Sequence, residues 1–129
     1  KLYYLILVAS GGAVGALLRY SLGSITKSFF FYNFYSTLII NIIGSFFIGY
    51  LISIGYMKNI SLEFIKYFLV IGLLGSFTTF STFSYEVVDL LNSKKIYLSF
   101  LYIILSVVLS VSAAYVGILI SKFWLKLLS

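Results

Sequence analysis

The chain has 129 residues, of which 62% are hydrophobic and 9% charged, and its mean hydropathy is +1.14. Soluble domains carry about 25% charged residues, so this composition excludes a soluble domain and indicates an integral membrane protein. The net charge of +6 comes from basic residues that mostly fall at the ends of apolar segments, where they suit lipid headgroups better than nucleic acid.

Four apolar segments are long enough to cross a bilayer as helices, and they predict an all-α membrane protein with a single domain, residues 1–129. They cover about residues 3–25, 34–56, 67–91 and 96–123. In the first segment, Gly11 and Gly15 share a helix face that a neighbouring backbone could approach closely. Arg19 either reaches out to the interface or lies at the mouth of an anion pathway.

The second segment carries a narrow polar stripe, because Thr37, Asn41 and Gly44 lie one helical turn apart on an otherwise apolar helix. An asparagine at membrane depth needs hydrogen-bond partners. Its side chain either joins neighbouring helices or uses its uncharged amide to hold an anion in a pore without trapping it.

The third segment contains the most polar stretch of the chain, the glycines, hydroxyls and phenylalanines from Gly72 to Ser84. Because the chain has no proline, the glycines and hydroxyls here are the plausible causes of a helix break. Non-helical backbone at bilayer depth survives only in protein or around a cavity. The stretch therefore predicts a third helix broken mid-membrane at a site or pathway, and a small-residue packing face is the alternative.

Two phenylalanines within this hydroxyl cluster, Phe80 and Phe83, could turn their electropositive ring edges towards an anion. Glu86 and Asp89 follow near the end of the segment. We interpret both acids as contacts of lipid headgroups and of Lys94 or Lys95.

The fourth segment has three serines near one face, Ser99, Ser106 and Ser110. They either supply hydroxyl donors to a pathway or bond the carbonyls of their own helix, as serines in membrane helices often do.

Basic residues are almost evenly divided between the two ends of the four segments. One end has Lys1, Lys58, Lys66, Lys122 and Lys126, and the other has Arg19, Lys27, Lys94 and Lys95. The positive-inside rule then orients the chain only weakly, so we predict insertion both ways up and an antiparallel, dual-topology homodimer. Because four helices enclose little volume, a pathway arises most economically between subunits.

All four segments resemble one family, the small bacterial fluoride channels known as Fluc or CrcB. The matching residues are Gly11, Gly12, Gly15 and Arg19, then Thr37, Asn41 and Gly44, then Gly72, Gly75, the run Thr78-Thr79-Phe80-Ser81-Thr82-Phe83-Ser84 and Glu86, and finally Ser110. The resemblance implies a passive, fluoride-selective channel in the bacterial cell membrane that exports fluoride and protects the cell from its toxicity. It also implies two pores per antiparallel dimer and a structural sodium ion at the dimer centre.

The resemblance also implies roles for individual residues. The backbone carbonyls of Gly75 and Thr78 would bind the sodium ion, and Arg19 would lie near a vestibule. The fluoride pore would be lined by Asn41, Phe80, Phe83, Ser110, Thr37, Ser81, Thr82 and Tyr102. The partners would be fluoride, the lipid bilayer and a second copy of the chain, or a homologous subunit in a heterodimer.

Three other classes of protein are weighed against a channel. A small proton-coupled multidrug exporter needs an intramembrane carboxylate, and no acid precedes Glu63, which falls in a connection. A non-transporting assembly subunit would not need Asn41 or the Thr78-Thr79 hydroxyls at bilayer depth. An enzyme is the least favoured class, because the acids, serines and tyrosines form no nucleophile and base set.

Overall fold

The computed structural model describes residues 1–57 and 62–128, and within them the chain forms five helices. Four are α-helices: α1 (Leu2–Phe29), α2 (Phe34–Met57), α4 (Phe80–Asn92) and α5 (Ile96–Leu128). The remaining helix, α3, consists of a π-helical segment, Phe64–Leu74, followed by one α-helical turn, Gly75–Phe77. Lys58, which was counted in the comparison of charges, lies outside the described residues.

Four stretches of the described helices are long and apolar enough to span a membrane. They are Leu2–Phe29, Phe34–Gly55, Phe64–Asn92 and Ile96–Leu128. The third stretch combines α3 and α4. The prediction of an all-α protein with four membrane spans is therefore confirmed for the part of the chain that is described.

Helices α1 and α3 pack through glycines at which their backbones touch. A Cβ atom added at Gly11 would lie 2.2 Å from the Phe68 carbonyl oxygen, and one added at Gly15 would lie 2.1 Å from the Leu73 carbonyl oxygen. Only a residue without a side chain allows this approach. The close backbone contact predicted for Gly11 and Gly15 is therefore confirmed, and its partner is the π-helical part of α3.

Helices α2 and α5 form a second contact of the same kind. A Cβ atom added at Gly49 would lie 2.1 Å from the Ala114 carbonyl oxygen, and one at Gly117 would lie 2.2 Å from the Phe46 carbonyl oxygen. Gly49 of α2 therefore contacts α5, and Gly117 of α5 contacts α2. The bundle is thus built from two tightly joined pairs, α1 with α3 and α2 with α5.

Two clusters of buried side chains fill the space between these pairs. One contains Phe34, Leu38, Phe83, Leu90 and Tyr102, and the other contains Ile40, Leu74 and Phe77. Helix α2 contributes to both clusters, whereas the third span contributes Leu74 and Phe77 to one and Phe83 and Leu90 to the other. The residues between Phe77 and Phe80 therefore separate two differently packed halves of that span.

Candidate functional site

The backbone between α3 and α4 is extended. Thr78 has φ −79° and ψ 157°, and Thr79 has φ −148° and ψ 120°. Thr79 is the N-cap of α4, since its Oγ1 accepts a hydrogen bond from the Thr82 backbone N–H at 3.1 Å. A threonine hydroxyl is one of the side chains that start helices well, so this sequence can begin a new helix at Phe80 without glycine or proline.

Asn41 on α2 bonds the extended backbone in both directions. Its Nδ2 donates to the Thr79 carbonyl oxygen at 3.0 Å, and its Oδ1 accepts from the Thr79 N–H at 2.9 Å. One side-chain amide thus replaces the donor and the acceptor that a continuous helix would have provided. The sequence predicted that Asn41 needs partners, but the partner is a backbone peptide of the third span.

Two carbonyls lose their ordinary helical donors because of this arrangement. The N–H that would reach the Gly75 carbonyl in a continuous helix belongs to Thr79, and it donates to Asn41 instead. The N–H that would reach the Thr78 carbonyl belongs to Thr82, and it donates to the Thr79 hydroxyl. Both carbonyl oxygens, which the resemblance assigns to sodium, are therefore released from the helix hydrogen-bond pattern and suit a hard cation, which prefers oxygen ligands.

A cavity of about 300 Å³ lies against the extended backbone. Its lining includes six residues that the sequence analysis placed at a fluoride or sodium site: Asn41, Gly75, Thr78, Phe80, Phe83 and Ser110. Of the described residues that line this cavity, none is charged. The described lining of the cavity therefore combines amide, hydroxyl and aromatic groups and has no charged side chain.

The two phenylalanines of the cavity differ in their surroundings. Phe83 is buried, whereas Phe80 is 78% exposed in the single chain. Their ring centroids are 5.4 Å apart and the rings are tilted by 45°. Phe83 also meets Tyr102 edge to face, with 5.1 Å between centroids, so one ring is held from within the bundle and the other is open at its surface.

Ser106 lines the cavity and carries a buried hydroxyl that has no hydrogen-bond partner among the described residues. The residue is only 8% exposed, and no described residue forms a hydrogen bond with its Oγ. By contrast, Ser121 on the same helix donates to the Ile118 carbonyl at 3.0 Å, as expected for a serine in a membrane helix. A buried hydroxyl without a partner is costly, so Ser106 is the best-marked hydroxyl for a ligand. The sequence places Ser106 on the same helix face as Ser99 and Ser110, but only Ser110 was predicted to line the pore.

Glu86 is turned into the bundle, and its interpretation as a contact of headgroups or of Lys94 or Lys95 is wrong. Its Oε1 accepts from the Thr37 hydroxyl at 2.9 Å, and its Oε2 accepts from the Tyr102 hydroxyl at 2.8 Å. The carboxylate faces α2 and α5 because this side of α4 packs between them. Both oxygens are thereby satisfied, as a partly buried carboxylate requires.

The remaining residues of the implied pore lie outside the cavity. Thr37 and Tyr102 are buried beside Glu86, and Ser81 and Thr82 are exposed in the first turn of α4. Their hydroxyls are within 3.3 Å and 3.1 Å of the Thr79 hydroxyl, respectively. Arg19 is half-buried on α1 and is not part of the cavity lining.

The family model described as "CrcB-like protein, Camphor Resistance (CrcB)" matches residues 6–118. A protein named "Fluoride-specific ion channel FluC" from Shewanella sp. (strain W3-18-1) is 42% identical over 59 residues, which are 45% of this chain and 48% of that protein. A protein of the same name from Shewanella denitrificans is 40% identical over 60 residues, or 46% and 48% of the two chains.

The chain spans about half the length of these curated relatives in the alignments, 48% in both cases. The relatives are bacterial, and the described part of the chain has four membrane-length helices. Together they confirm the prediction of a multi-pass bacterial membrane protein.

Proposed function

We propose that this chain, which belongs to the CrcB-like protein family, is a passive channel selective for fluoride that exports the ion and protects the cell from its toxicity. Family membership confirms the resemblance drawn from the sequence. The name of the relatives, fluoride-specific ion channel, supports fluoride as the substrate and agrees with the expectation that the chain is not an enzyme.

The observation that carries the proposal is the unpaired hydroxyl of Ser106 in an uncharged cavity that it shares with Asn41 and Phe83. Fluoride is a small, strongly hydrated anion and a strong hydrogen-bond acceptor, so a pore has to replace its water with donors. Among the described residues, the Ser106 hydroxyl has no partner, and the Asn41 amide, which has two N–H groups, donates one hydrogen bond to the Thr79 carbonyl. The edge of Phe83 adds weak positive charge.

The absence of a charged group from the lining matters for passage as well as binding. An ion channel has to bind its ion well enough to admit it and weakly enough to release it. A lysine or arginine in the cavity would hold fluoride too firmly, and a carboxylate would repel it. Neutral donors that replace the water of the ion without a fixed charge meet both requirements.

We place Thr37 and Tyr102 next to the cavity on the route of the ion, together with Ser81 and Thr82. The Thr37 and Tyr102 hydroxyls both donate to the Glu86 carboxylate. A fluoride ion that reaches them therefore has to compete with the carboxylate for the same protons, which keeps its residence there short. Arg19 remains a proposal for the vestibule.

The proposed assembly is an antiparallel homodimer with two pores and a third helix broken at mid-membrane, and a homologous subunit could replace one copy. Two features of the single chain support a second copy. Gly75 and Phe80, which both line the cavity, are exposed, so one wall of the cavity is left open to a partner.

A structural sodium ion would bind at the axis of this dimer. The Gly75 and Thr78 carbonyls of each subunit would hold it, since both are released from helix hydrogen bonding by Asn41 and Thr79. When bound, the ion would neutralise the freed carbonyl dipoles and join the two copies. Asn41 holds the extended backbone next to these oxygens through its two hydrogen bonds with Thr79.

Fluoride release from proteoliposomes, followed with a fluoride-selective electrode, tests the function. We expect rapid release of fluoride and negligible release of chloride from matched vesicles. No fluoride release from well-folded protein would overturn the proposal for the chain alone, and equal release of both ions would overturn its selectivity.

A further inference from the structure

A second cavity lies between α2 and α3, at the end of the bundle where the third span begins. Its volume is about 570 Å³, which is within the range of pockets that hold small molecules. The apolar part of its described lining includes Ile52 of α2 and Val70 and Ile71 of α3. Ile52 and Ile71 are exposed, so the cavity opens sideways. We call it the α2–α3 groove, and it shares no described lining residue with the cavity of the candidate site.

Gly55 adds to the free space of the groove. A Cβ atom added there would lie 3.5 Å from the Leu62 Cδ2 and 3.7 Å from the Ile65 Cγ2, which are ordinary van der Waals distances. Gly55 therefore differs from Gly11 and Gly15, because it permits no backbone contact between helices. Its missing side chain leaves room beside α3.

The polar residues of the groove lie at the end of the third span. Glu63 immediately precedes the span Phe64–Asn92, and Lys66 and Tyr67 belong to its first turn. This is the depth of lipid headgroups, whereas residues one turn further along the span face the hydrocarbon. The groove thus has a charged end at headgroup level and an apolar end beside the acyl chains. A phospholipid has the same division.

Contacts with two tyrosines hold the charged side chains at this end. The Glu63 carboxylate accepts a hydrogen bond from the Tyr4 hydroxyl of α1, and the Tyr4 ring stacks on that of Tyr67 with 4.4 Å between centroids. The Lys66 ammonium lies 5.3 Å from the centroid of the Tyr67 ring, within the range of a cation–π contact. Neither charge forms an ion pair with a described residue. Both are therefore available to a headgroup.

We propose that the α2–α3 groove binds one phospholipid with a zwitterionic headgroup that carries a primary ammonium, as in phosphatidylethanolamine. Lys66 binds the phosphate and Glu63 binds the ammonium, while an acyl chain lies along Ile52, Val70 and Ile71. An anionic phospholipid would satisfy Lys66 but would be repelled by the Glu63 carboxylate. A quaternary ammonium would have no N–H to donate to Glu63. Opposite charges at the same end of the groove therefore favour the zwitterion with free N–H donors.

Native mass spectrometry of the full chain tests the proposal. The protein in detergent is given equal amounts of phosphatidylethanolamine, phosphatidylcholine and phosphatidylglycerol with the same acyl chains. We expect one molecule of phosphatidylethanolamine to be retained per chain, about tenfold more tightly than either of the other lipids, as one hydrogen bond between charged groups provides.

Two variants of the charged end and their matched controls identify the residues that bind the headgroup. Lys66→Gln and Glu63→Gln should each weaken retention of phosphatidylethanolamine about tenfold, and the glutamine at position 63 keeps an acceptor for the Tyr4 hydroxyl. Lys95→Gln is the control for Lys66→Gln, because its ammonium also lies on a tyrosine ring, 4.8 Å from the Tyr32 centroid. Asp89→Asn, on the exposed side of α4, is the control for Glu63→Gln. Neither control should alter retention.

Ile52→Trp tests the apolar part of the groove, since it fills the space of the acyl chain and leaves the charged end unchanged. We expect it to weaken retention about tenfold, with dimer content measured on the same samples. If it lowers dimer content and leaves lipid retention unchanged, the groove is a contact between copies of the chain and the proposal is wrong.

Three other outcomes overturn the proposal. Preferential retention of phosphatidylglycerol would mean that Lys66 acts alone on anionic lipid. Equal retention of the three lipids would mean that the groove selects no headgroup. Equal losses in Lys66→Gln and Lys95→Gln would mean that general surface charge acts. Because lipid retention is measured without ion flux, each result is independent of the proposed fluoride conduction.

Discussion

The two halves of the third membrane span are held in the bundle by different interactions. Before Thr78, the π-helical part of α3 touches α1 backbone to backbone at Gly11 and Gly15. At Thr79 the extended backbone is held by the Asn41 amide, and beyond it α4 packs Phe83 and Leu90 into a buried cluster. The first half is a dense apolar contact, and the second borders an uncharged cavity.

This difference separates positions that build the protein from positions that build the site. A close backbone contact leaves no room for a side chain, so a change there acts on folding. The hydrogen bonds of the extended segment lie beside the cavity, so changes there act on the ion that the cavity would bind. Substitutions at the two kinds of position should therefore have different effects.

Gly15→Ala should have the largest effect, because Gly15 of α1 contacts the closely packed first half of the third span. Its Cβ would lie 2.1 Å from the Leu73 carbonyl oxygen, a backbone atom that cannot move alone. We expect a loss of stability of at least about 3 kcal/mol and little folded protein, measured by thermal unfolding and size exclusion in detergent. Gly23→Ala on the same helix is the control, since its Cβ would be 3.7 Å from the nearest side-chain atom. Equal stability of the two variants would contradict the close contact.

Asn41→Asp should abolish most conduction while the protein still folds. The carboxylate keeps the acceptor for the Thr79 N–H, but it loses the donor to the Thr79 carbonyl and places a negative charge on the path of an anion. We expect fluoride flux to fall about 100-fold. Asn92→Asp, at the exposed end of α4, should conduct normally. Full flux in Asn41→Asp would leave Asn41 with a structural role alone.

Phe83→Ile should reduce flux about tenfold, since a ring edge contributes on the order of 1 kcal/mol. Phe80→Ile should act in the same direction. Both substitutions remove an electropositive ring edge from the cavity. Fluoride flux and dimer content are measured on the same purified samples, so that a loss of dimer is not mistaken for a loss of conduction. Phe47→Ile, on the exposed face of α2, serves as control. Undiminished flux in intact dimers would remove the rings from the site.

Ser106→Ala should have the smallest effect and the most specific one. The hydroxyl has no hydrogen-bond partner among the described residues, so its removal should leave stability unchanged or slightly raised. Flux should fall about threefold to tenfold, as expected for one lost hydrogen bond to the ion. Ser121→Ala is the control, because that hydroxyl bonds its own helix. A Ser106→Ala variant that is destabilised and conducts normally would contradict the assignment.

The sequence predicts the dense half of the span better than the polar half. The spacing of Gly11 and Gly15 along one helix face is enough to indicate a backbone contact, because the helix period alone brings them together. The spacing does not identify the other helix as the π-helical part of α3. The π-helical winding of α3 depends on tertiary packing and cannot be recognised from the residue types.

At the polar half, the sequence identifies the residue types but not their pairing. Depth in the membrane shows that Asn41 needs partners, yet only the fold brings it to the Thr79 peptide. Glu86 was misjudged because nearness to a segment end suggests an interface, whereas the face of α4 that it occupies is decided by packing against α2 and α5. Ser106 could not be separated from its neighbouring serines, since the lack of a hydrogen-bond partner is a property of the folded chain.

The length of α5 links the cavity to the thickness of the host membrane. Its 33 residues extend about 50 Å, whereas the hydrocarbon core of a bilayer measures about 30 Å. The helix has to tilt or to carry its ends, with Lys122 and Lys126, into the headgroups. Because Gly49 and Gly117 join α5 to α2 backbone to backbone, both helices tilt together. A mismatch between the length of α5 and the thickness of the bilayer therefore acts on the two helices that carry Asn41 and Ser106. The chain length of the lipids then affects the shape of the cavity.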